Sequence, residues 1–263
     1  MENYTLITGA SGGIGLELAN VFAENGHNII FVARNEKKLR ELAEDVRSKY
    51  GVETQVIAAD LSQGDAADVV YEQTKNNEWK VDILINNVGF GDHNCFFDTS
   101  WERQKNMIDI NIAALMHMTY LFGGDMRRRN GGKILNLSSI ASLCAGPYMS
   151  VYYASKVFVR SFSEALHEEL APYNITVTAL CPGPTDTAFQ QNANLENSNM
   201  FKILRVSEAS AVARRGYRGL MRGKAIVYCD ISAKVFALFS RIFPGKLARK
   251  ITLKINGIKT KRQ

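Results

Sequence analysis

The chain has 263 residues, 46% of them hydrophobic and 22% charged, enough apolar content for one large α/β domain with a buried core. Its formal net charge of +6 is uneven: residues 231–263 hold nine Lys/Arg and no Asp/Glu, leaving 23 basic against 26 acidic side chains in the other 230 residues. The basic character belongs to the tail and not to the domain, which argues against a nucleic-acid-binding protein.

No uninterrupted apolar run reaches the ~18 residues of a membrane-spanning helix. No basic stretch with a cleavage site precedes the first apolar run, so a cytoplasmic protein is expected. Cys95, Cys144, Cys181 and Cys229 are far apart and read as reduced thiols. The four histidines have no metal-ligand spacing, and no metal site is predicted.

Residues 4–8 read as a buried strand. A glycine-rich turn, residues 9–15, follows at once, and residues 16–25 read as a helix. Such a turn brings backbone N–H groups and a helix N-terminus close to a pyrophosphate. Gly9, Ser11, Gly13 and Ile14 are its candidate contacts. The spacing is G-x-x-x-G-x-G, which differs from the G-x-G-x-x-G fingerprint.

Residues 28–33 form a second strand and 36–50 an amphipathic helix. Arg34 stands where an acid would hold the ribose 2′-hydroxyl of NAD; a guanidinium suits a 2′-phosphate and favours NADP. Residues 55–59 form a third strand ending in Asp60 and Leu61. Asp60 is placed either to accept from an adenine amino group or to cap the next helix, 66–75. Residues 82–86 form a fourth strand, and Asn87-Val88-Gly89 follows at its carboxyl end, where open α/β sheets bind ligands. Residues 91–99 read as a loop, and 101–129 as one long helical pattern containing Asn111.

Residues 133–139 form a fifth strand that delivers Ser138 and Ser139 to the same edge. The helix after Gly146-Pro147, running to about residue 170, carries Tyr152 and Lys156 one turn apart on one face. An ammonium near a phenol favours the phenolate, so Lys156 is expected to lower the Tyr152 pKa from its reference near ~10. A phenol so tuned acts as general acid or base. Tyr153, three residues before Lys156, also shares its face. Ser139 is placed to hold a carbonyl oxygen, so the site makes and breaks a carbinol O–H and needs a hydride partner.

Residues 174–181 form a sixth strand, closed by 182–187. The polar, Asn-rich segment within 188–206 is predicted to be a mobile lid. A helix at 207–222 and a strand at 225–228 complete a doubly wound parallel sheet of six to seven strands with helices on both faces. This single domain spans 1–230. Residues 231–263 form a basic amphipathic extension, packed either on the substrate loops or a partner subunit, or else lying on an anionic membrane.

Taken in order, these motifs resemble the short-chain dehydrogenase/reductase family, of the NADP-preferring ketoreductase type. Residues 8–15 look like its cofactor turn, and 86–89 like its N-N-A-G element, with Val88 in place of Ala. Tyr152-x-x-x-Lys156 is similar to its catalytic pair, and Ser139 lies thirteen residues before Tyr152, the family's spacing. Pro182 and Gly183 with Thr185 and Thr187 look like the segment that touches the nicotinamide amide and phosphates, and Asn111 sits where the family keeps an active-site Asn.

The resemblance implies a Rossmann-type fold and an oxidoreductase in which Tyr152 is the proton donor or acceptor. Lys156 would tune it and bind the nicotinamide ribose, Ser139 would orient the carbonyl, and Asn111 would support a water chain to Lys156. It implies NADP, with NAD second, and a homo-oligomer; Asp60, Leu61 and Asn87 join the cofactor site. More weakly, the chain resembles the branch with long-chain 3-ketoacyl and 17β-hydroxysteroid reductases. Phe96, Phe97, Leu143, Tyr148, Phe189 and Phe201 are expected to line the substrate pocket, which suits an apolar substrate. The competing reading is a non-catalytic NADP-binding or peripheral membrane protein on the same fold. The intact Ser139/Tyr152/Lys156 set argues against it.

Overall fold

Seven strands run parallel in one sheet. They are β1 (Asn3–Thr8), β2 (Asn28–Ala33), β3 (Thr54–Ala58), β4 (Lys80–Asn86), β5 (Gly132–Leu137), β6 (Ile175–Cys181) and β9 (Ile226–Tyr228), in the order β3-β2-β1-β4-β5-β6-β9. Two short strands, β7 (Thr185–Asp186) and β8 (Ser207–Glu208), pair with each other outside it. The computed structural model describes residues 3–195, 198, 206–230, 233–235, 237–238 and 245–257.

The strand sequences are almost wholly apolar because both faces of the sheet are covered. Successive side chains point to opposite faces, and the core divides accordingly. Ile7, Phe31 and Ile85 pack on one side with α1 (Gly13–Glu24) and α2 (Glu36–Tyr50). Leu6, Ile30 and Leu84 pack on the other with α3 (Ala66–Asn76) and Phe122. The strand order reverses between β1 and β4, which opens a crevice at their carboxyl ends.

Local chemistry sets the helix ends. The Asn35 side chain accepts from Lys38 N at 3.0 Å, and Gly51, at φ 69°, closes α2 in the left-handed conformation. The predicted 101–129 helix is three pieces: α4 (Trp101–Ile108), a π-helical segment (Asp109–Ala114) and α5 (Leu115–Arg128). The wider turn coincides with Asn111, whose side chain turns inward to bond the Phe90 backbone. Further helices that pack around the sheet or the site include α6 (Ser150–Leu170), α7 (Phe189–Asn192), α8 (Ala209–Met221) and α9 (Gly245–Asn256). No helix among the described residues is long and apolar enough to cross a membrane.

Candidate active site

A cavity of about 480 Å³ opens at the carboxyl ends of β1, β4, β5 and β6. Twelve of the sixteen residues expected at the site line it: Gly9, Ser11, Gly13, Ile14, Asn87, Ser139, Tyr152, Lys156, Pro182, Gly183, Thr185 and Thr187. Arg34, Asp60, Leu61 and Asn111 are not on its walls. Leu61 packs in the core beneath, and Asp60 accepts from Ser62 N at 3.1 Å.

At one end lies the glycine turn. Gly9 and Gly13 have φ of 65° and 54°, and a Cβ on Gly15 would stand 2.3 Å from the Gly9 carbonyl oxygen. Side chains are therefore excluded where the turn crosses itself. Asn87 locks the turn to β4: its Nδ2 donates to Thr8 O at 3.0 Å and Gly9 O at 3.2 Å. The Thr8 hydroxyl accepts from Asn87 N and Val88 N. No side chain caps α1 and its first turn holds no acid, so its N-terminal N–H groups face the cavity end without a competing anion. Lys38, four residues after the exposed Arg34, also lines the cavity, a second cation that the sequence does not single out.

The opposite wall carries the polar chemistry. The Ser138 hydroxyl is buried and donates to Lys156 O at 2.9 Å, tying β5 to α6. The Ser139 hydroxyl instead lines the cavity with Tyr152, accepts from Ala141 N at 3.1 Å and donates to Pro182 O at 3.4 Å. Lys156 is buried; its Nζ donates to Leu137 O at 2.8 Å and lies 5.7 Å from the centroid of the Tyr152 ring. Burial lowers Lys156 to about 8. Burial pushes Tyr152 up to about 12, with the nearby Ser139 hydroxyl acting in the opposite sense. This differs from the expected lysine-driven depression. The ammonium sits over the ring and bonds a carbonyl, and in that place it does not offset desolvation of the phenolate.

Asn111 is placed behind this wall. Its Oδ1 accepts from Phe90 N at 3.0 Å, and its Nδ2 donates to Phe90 O at 2.9 Å and Ser155 Oγ at 3.1 Å. A Cβ on Gly89 would lie 2.9 Å from Asn111 Oδ1 and 3.3 Å from Lys156 Nζ, so glycine is what lets both polar groups approach that backbone. A second buried chain runs below: Asn86 Nδ2 donates to Asn136 Oδ1, and Asn136 Nδ2 to Ser163 Oγ. It fixes the ends of β4 and β5 against α6.

The segment expected to be a mobile lid is held down over its described first half. Asp92 organises it, accepting from Arg103 Nε at 2.6 Å, Thr99 Oγ1 at 2.8 Å and Asn194 Nδ2 at 2.9 Å. His93 N donates to Ala193 O at 2.9 Å. Phe189 reaches over the site, its ring centroid 5.4 Å from that of Tyr152. Of the expected pocket aromatics, Phe189 lines the cavity, whereas Phe96 and Phe97 are 51% and 94% exposed. Those two residues form a short 3-10 turn that packs ring on ring and faces outward. Leu143 and Tyr148 do not line the cavity, whose apolar wall is made by Met149, Tyr153 and Leu195. Phe201 lies outside the described residues.

Part of the basic extension completes the wall. On α9, Asn256 is fully buried; its Nδ2 donates to Pro147 O at 3.0 Å, and Tyr153 Oη donates to its Oδ1 at 3.2 Å. Its carbonyl lies 2.6 Å from His93 Nε2, and Thr252 Oγ1 is 3.1 Å from Cys144 Sγ. One helix thus joins the 93 loop, the 144–148 loop and the residue beside Tyr152. Nothing in the sequence singled out Asn256, a lone polar residue within a basic amphipathic stretch.

Comparison with known proteins agrees with this layout. The profile of the family described as short chain dehydrogenase matches residues 3–198. The chain is 36% identical over 199 residues to mouse (Mus musculus) 17-beta-hydroxysteroid dehydrogenase type 3, covering 74% of this chain and 64% of that protein. It is 37% identical over 179 residues to a very-long-chain 3-oxoacyl-CoA reductase of Phaeosphaeria nodorum, covering 66% of this chain and 52% of that one. The chain thus spans about half to two thirds of the length of these relatives. Among solved structures, a short-chain dehydrogenase from Sphingobium yanoikuyae in complex with NADPH superposes with a TM-score of 0.82 at 28% identity, over 92% of this chain and 93% of that one. With the strand order, the glycine turn and the Ser139–Tyr152–Lys156 wall, these matches show that the chain belongs to the short-chain dehydrogenase/reductase family.

Proposed function

We propose that the chain is an oxidoreductase moving hydride between NADP(H) and a carbonyl or secondary alcohol on an apolar, acyl- or steroid-like substrate. The observation that carries this reading is the convergence of Ser139, Tyr152 and Lys156 on one wall of a cavity whose far end is the glycine turn. The names of the matched relatives, a hydroxysteroid dehydrogenase and 3-oxoacyl-CoA reductases, support it, as does the NADPH held by the superposed neighbour.

The far end fits a dinucleotide. Gly12 has open space where a side chain would stand, and the uncapped N-terminus of α1 offers N–H groups to a pyrophosphate. Lys38 and Arg34 would hold a 2′-phosphate. When bound, the nicotinamide supplies or accepts the hydride.

The chain's own groups handle the proton. Ser139 donates to the substrate oxygen and fixes it beside the Tyr152 phenol. With burial holding it at about 12, Tyr152 is protonated throughout the neutral range. An alkoxide developing on the substrate is a stronger base than a phenolate, so the proton passes from Tyr152 to that oxygen. A protonated Tyr152 is thus in the form that a general acid needs for carbonyl reduction. Lys156, held by Leu137 O, stabilises the phenolate left behind and orients the cofactor ribose. Phe189, Met149 and Leu195 present an apolar surface to the rest of the substrate and exclude water.

The test is NADPH consumption against a panel of 3-ketoacyl thioesters, ketosteroids and short polar ketones. Turnover of the apolar classes that vanishes in Tyr152→Phe supports the reading. NADPH binding without turnover of any ketone would reduce the protein to a cofactor-binding one.

A further inference from the structure

Away from this cavity, a second hollow of about 340 Å³ lies between α8 and β9, the outermost strand of the sheet. Arg215, Arg218 and Arg222 are spaced i, i+3 and i+7, so they share one face of α8 and its C-terminal cap. Among the described residues, Lys224, before β9, and Lys234, beyond it, extend the lining to five cations against one carboxylate, Asp230. The neighbouring Arg214 is paired with Glu24 at 2.7 Å, but none of the five cations has an ion pair among the described residues. Asp230 Oδ1 accepts from Ala233 N at 2.6 Å. Arg218 Nε donates to Arg214 O at 3.2 Å, which fixes the guanidinium along the helix.

Five like charges around one concavity set up a local positive potential that attracts an anion. None of them lines the main cavity, so the proposed reaction does not account for them. Guanidinium forks match phosphate oxygens in pairs, and lysines add point charges. The hollow also adjoins the first site: a Cβ on Gly183, in the main cavity wall, would stand 3.0 Å from Asp230 Oδ2.

We propose that this hollow is a binding site for a multiply charged phosphate group. That chemistry is shared by a soluble pyrophosphate-type compound and the phosphomonoester headgroup of a lipid such as phosphatidic acid. The proposal does not depend on the hydride-transfer reading.

The experiment uses the full chain and its Arg218→Gln/Arg222→Gln variant. Both side chains are exposed, so thermal unfolding should be unchanged. Inorganic pyrophosphate is titrated calorimetrically, and co-sedimentation is measured with phosphatidylcholine vesicles with and without phosphatidic acid. Pyrophosphate binding at the glycine turn would be the same in both proteins, because neither arginine lines that cavity. The expected result is a further binding event weakened at least roughly tenfold in the variant. Vesicle binding that needs phosphatidic acid, is lost in the variant and is displaced by pyrophosphate assigns a headgroup; pyrophosphate binding alone assigns a soluble ligand. If neither probe's binding depends on these arginines, the proposal is overturned. Lys224→Gln is the second variant should the double substitution unfold the protein.

Discussion

Lys156 Nζ lies 5.7 Å from the centroid of the Tyr152 ring and donates a hydrogen bond to the Leu137 carbonyl at 2.8 Å. The two groups titrate far apart, Lys156 at about 8 and Tyr152 at about 12. At neutral pH both hold their protons, and raising the pH through about 8 removes the lysine charge first. Reductive turnover is therefore expected to be flat near neutrality and to fall as the pH passes about 8. In Lys156→Met that limb should vanish, with kcat lower by roughly 10²-fold. The same limb persisting in the variant would assign it to another group. Stability gives an independent reading. The folded value lies below the lysine's ordinary 10.5, so the unfolded chain binds more protons between the two. Stability should rise with pH across that window in the wild type relative to Lys156→Met, as followed by urea midpoints.

Tyr152 and Tyr153 are neighbours in sequence with different partners. Tyr152 lines the cavity with Ser139, whereas the Tyr153 hydroxyl donates to Asn256 at 3.2 Å. Tyr152→Phe should lower kcat by about 10²–10⁴-fold with little change in stability. Tyr153→Phe should leave the chemical step nearly intact and cost about 1–3 kcal/mol, because the buried Asn256 oxygen loses its donor. Matched kcat and denaturation measurements on both variants decide it. Equal losses of kcat would mean that the two phenols act as one unit.

Much of this architecture is readable along the chain. The continuous apolar run over 28–33 and the amphipathic pattern over 36–50 give β2 and α2 their predicted bounds. The glycine turn and the Ser139–Tyr152–Lys156 spacing place one cavity at the right sheet edge. What the sequence hides is set by long-range packing. Phe96 and Phe97 are apolar but sit on an outward 3-10 turn, while Leu195 and Met149, from distant segments, take the wall. The π-helical segment leaves no trace in a 3.6-residue pattern, and its Asn111 meets a distant partner, the Phe90 backbone. Asp92 and Asn256 are ordinary polar letters until the fold brings their partners together.

Cofactor choice should depend on two cations. Lys38 lines the cavity end beyond the glycine turn, and the exposed Arg34 closes β2 beside α2. Each would contribute a charge-assisted bond to a 2′-phosphate. Arg34→Ala/Lys38→Ala is expected to weaken NADPH binding at least roughly tenfold and to leave NADH nearly unchanged. Nicotinamide fluorescence titrations measure both. A parallel loss for the two cofactors would show that the cations act on something other than the 2′-phosphate.

Asn256 connects the C-terminal helix to the site wall through two side-chain bonds, to Tyr153 Oη and Pro147 O. It is fully buried, so its removal strands both partners away from water. Asn256→Ala should therefore destabilise the protein by about 2–4 kcal/mol. Tyr153 follows Tyr152 on α6, and Pro147 precedes Tyr148, whose φ is 64°, so loosening this bond network shifts the wall rather than the acid itself. The expected kinetic signature is a rise in KM for bulky apolar ketones, with a smaller change in kcat. The fall in rate above about pH 8 should persist, because the Lys156 and Leu137 contact is untouched. Truncation after residue 244 should reproduce the KM effect. Wild-type stability and KM in Asn256→Ala would show that the helix is an appendage to this fold and not a wall of its site.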